Sequence, residues 1–159
     1  MILNNIQQAS GLDAIDLAIL KILSADGRIT NADLSQRVGL APSSCLNRVR
    51  SLVERGVIEG FSAEINPRAL GLQLQALISV SLRAGARASL ASFQQEMQVH
   101  PQVVQVFFLG GSEDFIVHVA ASSSDELREF VLENLSNNAS VANTRTNLIF
   151  DYFHKGPLA

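Results

Sequence analysis

The sequence predicts an α+β protein of two domains, because helical periodicity up to about residue 60 gives way to strand alternation after residue 71. Residues 28–61 read as two short helices across a tight turn, a third helix and a brief strand pair. The later segments follow the order β-α-β-β-α-β. These orders predict a winged helix-turn-helix domain at residues 1–61, a linker at 62–71 and a ferredoxin-like domain at 72–159.

Start and stop signals divide the first part into three helices. The signals are Asp13 and Thr30 as N-caps, Asp33 in a capping box, Gly39 and Gly56 as stops, and Pro42 in a first turn. Ala41 has no capping side chain, which should cost about 1 kcal/mol of helix stability. After the third helix, residues 57–65 read as a short hairpin or wing.

The third helix separates into two sides when it is drawn at about 100° per residue. Its apolar side carries Pro42, Cys45, Leu46, Val49, Leu52 and Val53. Its polar side carries Ser43, Ser44, Asn47, Arg48, Ser51 and Arg55. The apolar side predicts packing, and the polar side is either solvated surface or a face that reads DNA bases. Arg28, Arg50 and Arg55 are placed to contact phosphates on its flanks.

Composition limits the partners and the compartment. The chain has 159 residues, 47% of them hydrophobic, and a net charge of −3. Residues 28–68 nevertheless contain six arginines and four acids, so a weakly basic region lies where DNA would bind, and several copies would be needed for useful affinity. Residues 1–10 lack the features of a secretion signal, and no apolar run is long enough to span a bilayer. A cytoplasmic protein is therefore expected.

Few residues suggest a metal or redox site. Cys45 is the single cysteine and reads as a small buried apolar residue in preference to a redox sensor. His100, His118 and His154 have no second ligand at metal spacing, so no metal, cofactor or histidine role is assigned.

The second part predicts a sheet with one face still exposed. Alternation over residues 72–82 indicates a half-buried strand, yet Leu77 is apolar on its other side, as are both sides of residues 103–109. A second copy of the sheet would cover these residues. The turn at Gly110–Asp114 reads either as a hairpin turn with exposed acids or as an amino-acid site, in which a carboxylate pairs with an ammonium group.

Several motifs together resemble the Lrp/AsnC family of transcriptional regulators, also called feast/famine regulators. The motifs are Leu12-Asp13-x-x-Asp16, Asp26-Gly27-Arg28, Leu34-Ser35-x-Arg37-Val38-Gly39-Leu40, Cys45-Leu46-x-Arg48-Val49, Gly56-Val57-Ile58 and Asn66-Pro67. The resemblance implies sequence-specific binding to double-stranded DNA. It also implies a homodimer that assembles further to a tetramer or octamer, and an amino-acid effector between subunits. Carried over by position, it implies effector contacts at Gly111, Asp114, Phe115, Thr144 and Thr146.

Two alternatives belong to other classes of protein. Sirohaem decarboxylases are enzymes with a similar two-part architecture, but they would need basic and histidine side chains where this loop has Glu113 and Asp114. A structural assembly module with no DNA contact would be expected to lack Arg48 and Arg50, and both are present. The sequence therefore favours a regulator without catalytic activity, whose assembly or DNA-binding mode responds to an amino acid.

Overall fold

The computed structural model describes residues 11–153, with the exception of the Arg87 side chain. The chain divides into two compact units after Glu64. This division falls inside the linker predicted at residues 62–71. His154 and the residues before Gly11, which the sequence-based predictions also covered, lie outside the described range.

The first unit contains three helices, α1 (Ala14–Ala25), α2 (Asn31–Val38) and α3 (Pro42–Glu54). The capping box predicted for Thr30 and Asp33 is incomplete, because the Asp33 carboxylate accepts a bond from the Thr30 hydroxyl at 2.7 Å in place of the Thr30 backbone N–H. The predicted N-caps and glycine stop are confirmed: the Asp13 and Thr30 side chains accept backbone N–H bonds, and Gly39 ends α2 with a φ of 69°. Such a φ strains residues with a Cβ, so glycine suits this stop. Ala41 makes no side-chain cap bond to α3, as expected.

The core of the first unit is formed by Leu12, Leu17, Ile19, Leu34, Cys45 and Leu52. The predicted apolar side of α3 is only partly buried. Leu46 and Val53 remain 38% and 44% exposed, so their predicted packing inside this unit is wrong. Two short helices cover the stripe centred on Cys45 and Leu52 and leave its flank open.

The predicted strand pair after α3 is also wrong for the described chain, because residues 57–66 contain no strand. The backbone N–H groups of Val57 and Ile58 both donate to the Leu52 carbonyl, at 2.9 and 3.1 Å. These bonds fold the chain back against the end of α3. No strand of the described chain lies beside residues 59–65 to form a ladder with them.

The second unit has the order predicted from sequence. Its elements are β1 (Leu74–Leu82), α4 (Leu90–Val99), β2 (Val103–Phe108), β3 (Phe115–Ala121), α5 (Ser124–Phe130) and β4 (Val141–Ile149), with short 3₁₀ turns at Pro67–Leu70 and Ala86–Ser89. After α5 the chain continues as a wider π-helical turn, Val131–Ser136, which the sequence did not predict. All strand pairs are antiparallel in the order β2-β3-β1-β4, so the ferredoxin-like prediction is confirmed.

The sheet buries one face against both helices. Ala76, Ile78 and Val80 of β1 are completely buried with residues of α4 and α5, including Phe93 and Phe130. β4 begins at Val141, which pairs with Leu82 at the end of β1. Alternation along the strands places other side chains on the opposite face. We call this the open face; it includes Leu77, Phe107, Ile116 and His118.

Candidate functional sites

The exposed side of α3 carries the predicted DNA-contact residues of this helix apart from Arg48. Ser43, Ser44, Asn47, Arg50 and Ser51 are all exposed. Cys45 and Leu52 point the other way and are 0% and 1% exposed. The helix therefore presents short hydroxyl and amide groups to solvent along one side, and these groups can donate to and accept from base edges.

A side-chain bond that sequence reasoning missed holds α2 beside the start of α3. The Asn31 amide donates to the Pro42 carbonyl across 2.9 Å. Pro42 lies in the first turn of α3, so the bond fixes the turn between the two helices. The pairing joins residues eleven positions apart, and no local sequence signal predicts it.

The other three arginines predicted to contact DNA, Arg28, Arg48 and Arg55, differ in their surroundings. Arg28 is exposed in the turn between α1 and α2, where its backbone N–H donates to the Asp26 carboxylate at 3.0 Å. Arg55 is exposed immediately after α3. Arg48 is only partly exposed, and its guanidinium Nη1 lies 2.6 Å from Asp13 and 2.8 Å from Asp16.

The contacts among Arg48, Asp13 and Asp16 shift the pKa values of Asp13 and Arg48. The backbone N–H of Asp16 and, after it, the Arg48 guanidinium lower the pKa of Asp13 below its usual value. Hydrogen bonds to Asp13 and Asp16 raise the pKa of Arg48. Asp13 and Arg48 therefore remain charged at neutral pH.

The turn before β3 anchors Asp114 to β1. The Asp114 carboxylate accepts a bond from the Leu82 backbone N–H at 2.7 Å, and its own N–H donates to the Val80 carbonyl at 3.0 Å. The same residue borders a depression of about 140 Å³ whose other lining residues are Leu82, Arg83, Ala84, Gly85 and Leu90. One carboxylate oxygen is thus held by the sheet beside a small surface cavity.

Arg83 is the charged residue of this depression that the sequence did not reveal. Its backbone N–H donates to the Ser140 carbonyl at 2.8 Å, and its side-chain Nε donates to the Val141 carbonyl at 3.1 Å. Among the described residues, the structure contains no ion pair between Arg83 and Asp114. Arg83 and Asp114, which carry opposite charges, therefore border the same cavity without forming an ion pair with each other.

Glu113, the other acid of this turn, is not among the residues that line the depression. Its carboxylate binds the Arg145 guanidinium at 2.7 Å and accepts a bond from the Ser112 hydroxyl at 2.6 Å. The Ser112 bond and the nearby Arg145 charge lower the pKa of Glu113. Its charge is thus balanced by β4.

The other predicted effector residues do not converge within one chain. Phe115 is completely buried and packs against Phe93 and Phe108, with ring centroids 4.9 and 5.2 Å apart. Gly111 is exposed in the turn, and Thr144 pairs with Val80 across the sheet. Thr146 borders a separate depression of about 280 Å³ beside α5. Their joint role in binding an effector stays a prediction.

Cys45, His100 and His118 are held by burial or by contacts with neighbouring side chains. Burial raises the pKa of the Cys45 thiol, which therefore stays protonated. His118 Nε2 lies 2.9 Å from the Gln75 side-chain oxygen, and burial lowers the pKa of its imidazole. His100 packs edge-on against Phe130. Within residues 11–153, no group of three or more His, Cys, Asp or Glu side chains is arranged to hold a metal ion.

No helix in the part of the chain that the structure describes is both long enough and apolar enough to cross a membrane.

Two family models match the chain, one for each unit. A model described as winged helix-turn-helix DNA-binding matches residues 12–59. A model described as the Lrp/AsnC ligand binding domain matches residues 75–157. The first match contains all of α3, and the second begins at β1 and includes the depression beside Asp114.

Similar proteins cover nearly the whole chain. The HTH-type transcriptional regulator AldR of Mycolicibacterium smegmatis is 51% identical over 145 residues, which are 91% of this chain and 85% of that protein. The leucine-responsive regulatory protein of Rhizobium meliloti is 40% identical over 86% of this chain and 88% of its own length.

A solved structure extends the likeness to the fold. The crystal structure of a transcriptional regulator from Neisseria meningitidis in complex with L-Met has a TM-score of 0.82 and 31% identity, and the match covers 93% of this chain and 96% of that one. Together with the two family models, these matches show that the chain belongs to the Lrp/AsnC family of transcriptional regulators, with a winged helix-turn-helix DNA-binding unit followed by the family's ligand-binding domain.

Proposed function

We propose that the chain reads DNA with the exposed side of α3 and that an amino acid bound by the second unit changes its assembly or its DNA-binding mode. The observation that carries the first part is the segregation of α3, whose short polar side chains are exposed while Cys45 and Leu52 are buried. A helix with this division can pack on one side and enter the major groove with the other.

Within this proposal the polar residues of α3 have two roles. Ser44, Asn47 and Ser51 approach base edges, because they are exposed and lie along the middle of the helix face, and Ser43 is exposed in the first turn of the same helix. Arg28, Arg50 and Arg55 contact phosphates at the flanks. Phosphate contacts give affinity and register, whereas the serines and Asn47 give sequence preference.

Self-association is the second element of the proposal. A helix-turn-helix with a small net positive charge neutralises few phosphates, so one copy binds weakly and linked copies gain effective concentration. The open face supports a homodimer, because it presents Leu77, Phe107 and Ile116 opposite the helix-covered side of the sheet. We propose further assembly of dimers to a tetramer or octamer.

Genomic footprinting of the native protein at a stated salt concentration, with and without a panel of amino acids, tests this function. We expect discrete protected sites with repeated, partly symmetric half-sites, because a dimer presents two copies of α3. One or more amino acids should change the pattern of protection. Uniform occupancy without sequence preference would contradict the proposal.

We propose a zwitterionic amino acid as the effector. The depression beside Asp114 has a carboxylate that suits an ammonium group and, at Arg83, a guanidinium that suits a carboxylate. Backbone N–H groups near Gly111 supply further donors. The Neisseria meningitidis relative, solved with L-Met, supports the same ligand class. Thr144 and Thr146 of a neighbouring subunit, with Phe115, would complete the enclosure.

Calorimetric titration with individual L-amino acids tests this site. Asp114→Asn keeps an acceptor for the Leu82 N–H but removes the charge, so we expect binding to weaken at least tenfold, about 1.4 kcal/mol. The matched control is Glu113→Gln, which removes a neighbouring carboxylate already paired with Arg145. Normal binding by Asp114→Asn would show that the effector site lies elsewhere.

The family comprises transcriptional regulators, and we propose that this chain likewise acts without catalysis, in the cytoplasm, where it has access to DNA. Within the described residues, histidines and cations do not cluster around the depression, whose lining contains Arg83 and no histidine. The charge of Glu113 is balanced by Arg145, and His100 packs against Phe130. Incubation with sirohaem should therefore produce neither a haem-like absorption band nor decarboxylation.

A further inference from the structure

Arg48 connects the middle of α3 to the beginning of α1. Its Nη1 atom lies 2.6 Å from Asp13 Oδ2 and 2.8 Å from Asp16 Oδ1. The Arg48 side chain is 35% exposed, and the Asp16 side chain is 10% exposed. Arg48 is therefore directed toward the N-terminus of α1 and is partly covered there, unlike the exposed Arg50 two positions along the same helix.

The two acids that hold Arg48 also form the capping box of α1. Asp13 Oδ1 accepts the Asp16 backbone N–H at 2.8 Å, and Asp16 Oδ2 accepts the Asp13 backbone N–H at 3.3 Å. Each carboxylate thus uses one oxygen for the cap and the other for Arg48. The result is one closed network that ties the N-terminus of α1 to α3.

We infer that Arg48 is a positioning residue, which fixes the orientation of α3 against α1 and makes no phosphate or base contact of its own. The inference rests on the proposed use of α3 in DNA binding. One cation and two acids give the cluster a net charge of −1, which does not attract a phosphate.

Release of Arg48 to a phosphate would also leave Asp16 without its cation. Asp16 is nearly buried, and removing one partner of a buried ion pair leaves an uncompensated charge. The bond of Arg48 to the cluster therefore opposes its transfer to DNA. Sequence preference then depends on Arg48 only through the angle at which Asn47 and its neighbours meet the groove.

Asp16→Asn separates the two possible roles of Arg48 by the sign of its effect. The amide keeps an acceptor for the Asp13 N–H but loses the charge that holds Arg48. If Arg48 positions α3, the ratio of affinity for footprinted sites to affinity for a random-sequence duplex should fall about tenfold. A ratio that stays unchanged or rises, as expected if a released Arg48 reads DNA, would overturn the inference.

A matched pair of arginine variants gives a second test. Arg48→Met should lower the same ratio about tenfold, with an unchanged salt dependence on random-sequence DNA. Arg50→Met should reduce the slope of log K against log salt by about one per subunit and leave the ratio nearly unchanged. Equal losses of slope in both variants would show that Arg48 contacts phosphates. Both are measured at a temperature where circular dichroism shows them folded.

Two further measurements keep the inference separate from the proposed DNA face. Arg48→Lys restores a cation and should recover part of the ratio lost in Arg48→Met. In unfolding experiments, Arg48→Met and Asp16→Asn should be strongly non-additive, because both remove the same interaction. Additive effects would overturn the inference whatever the DNA results. If Arg50→Met leaves DNA binding untouched while the unfolding cycle is non-additive, the DNA face is misplaced and the positioning bond stands.

Discussion

The two units differ in how much of their apolar surface a single chain covers. In the first unit, α1 and α2 bury one side of α3 and leave a mostly polar side facing solvent. In the second unit, both helices pack on one face of the sheet, and the open face keeps Leu77, Phe107 and Ile116. A single chain therefore leaves apolar side chains uncovered on one face of the second unit, and under our proposal a second copy covers them.

The same difference separates the two candidate sites. The DNA face lies on one helix, so its residues come together wherever that helix forms. The predicted effector residues lie on the turn before β3, at the start of β3 and on β4, and within one chain they border different depressions, are exposed or are buried. The proposed site between subunits would account for this separation.

The largest expected effect contrasts the two faces of β1. Ile78 is completely buried against the helices, so Ile78→Ala should lower the free energy of unfolding by about 2–5 kcal/mol. Leu77→Ala, at the preceding residue on the open face, should lower the free energy of unfolding of the monomeric protein by only about 1 kcal/mol. Urea titrations at low protein concentration measure both, and equal losses would contradict the assignment of faces.

A charge at Leu77 should break self-association. Leu77→Asp places a carboxylate in the proposed dimer contact, and we expect the dissociation constant to rise about thirtyfold or more. Sedimentation equilibrium measures the change. Gln95→Glu adds a charge to the exposed side of α4 as the control. If Leu77→Asp assembles like the parent protein, the open face is not the interface.

A missing cap on α3 allows a smaller, stabilising change in the first unit. Ala41→Ser supplies an acceptor for the N–H groups of the first turn and should raise the free energy of unfolding by about 1 kcal/mol. Ala32→Ser, at an exposed position within α2, should lower it slightly through helix propensity. Denaturant titration of the two variants measures both changes in the free energy of unfolding. Destabilisation by Ala41→Ser would contradict the cap geometry.

The smallest effect concerns His118 on the open face. Burial lowers its pKa in the folded state, so below the ordinary value near 6.5 the unfolded chain binds a proton that the folded chain does not. The stability contributed is therefore present above that value and is lost as the pH falls through the folded pKa. Urea unfolding between about pH 7.5 and 5 should show this loss in the parent protein and not in His118→Gln. Parallel pH profiles of the free energy of unfolding in the parent protein and in His118→Gln would contradict this prediction.

Local signals predicted the elements well. Asp13, Thr30 and Gly39 each act through atoms within a few residues, and the structure contains both predicted N-caps and the predicted glycine stop of α2. The order of strands and helices in the second unit followed from alternation and turn residues in the same way. These features could be predicted because their causes lie within a few residues in the sequence.

Several features that the sequence did not predict depend on distant partners. The exposure of Leu46 depends on the reach of α1 and α2, and the burial of Phe115 depends on α4. Arg48 meets acids 32 and 35 positions away, and Arg83 bonds a carbonyl 58 positions away. Helical position predicted Arg48 as a DNA contact but could not reveal its bonds to Asp13 and Asp16, because a flank of the polar side can also face a neighbouring helix.

Asn47→Ala at the footprinted sites tests most directly whether the exposed side of α3 reads sequence. Its amide is the longest neutral polar group on that side and can donate and accept at a base edge. We predict a loss of affinity of about 1–3 kcal/mol at specific sites, with binding to random-sequence DNA unchanged and with Gln98→Ala on α4 as an inert control. Unchanged affinity and sequence preference in Asn47→Ala would contradict the account.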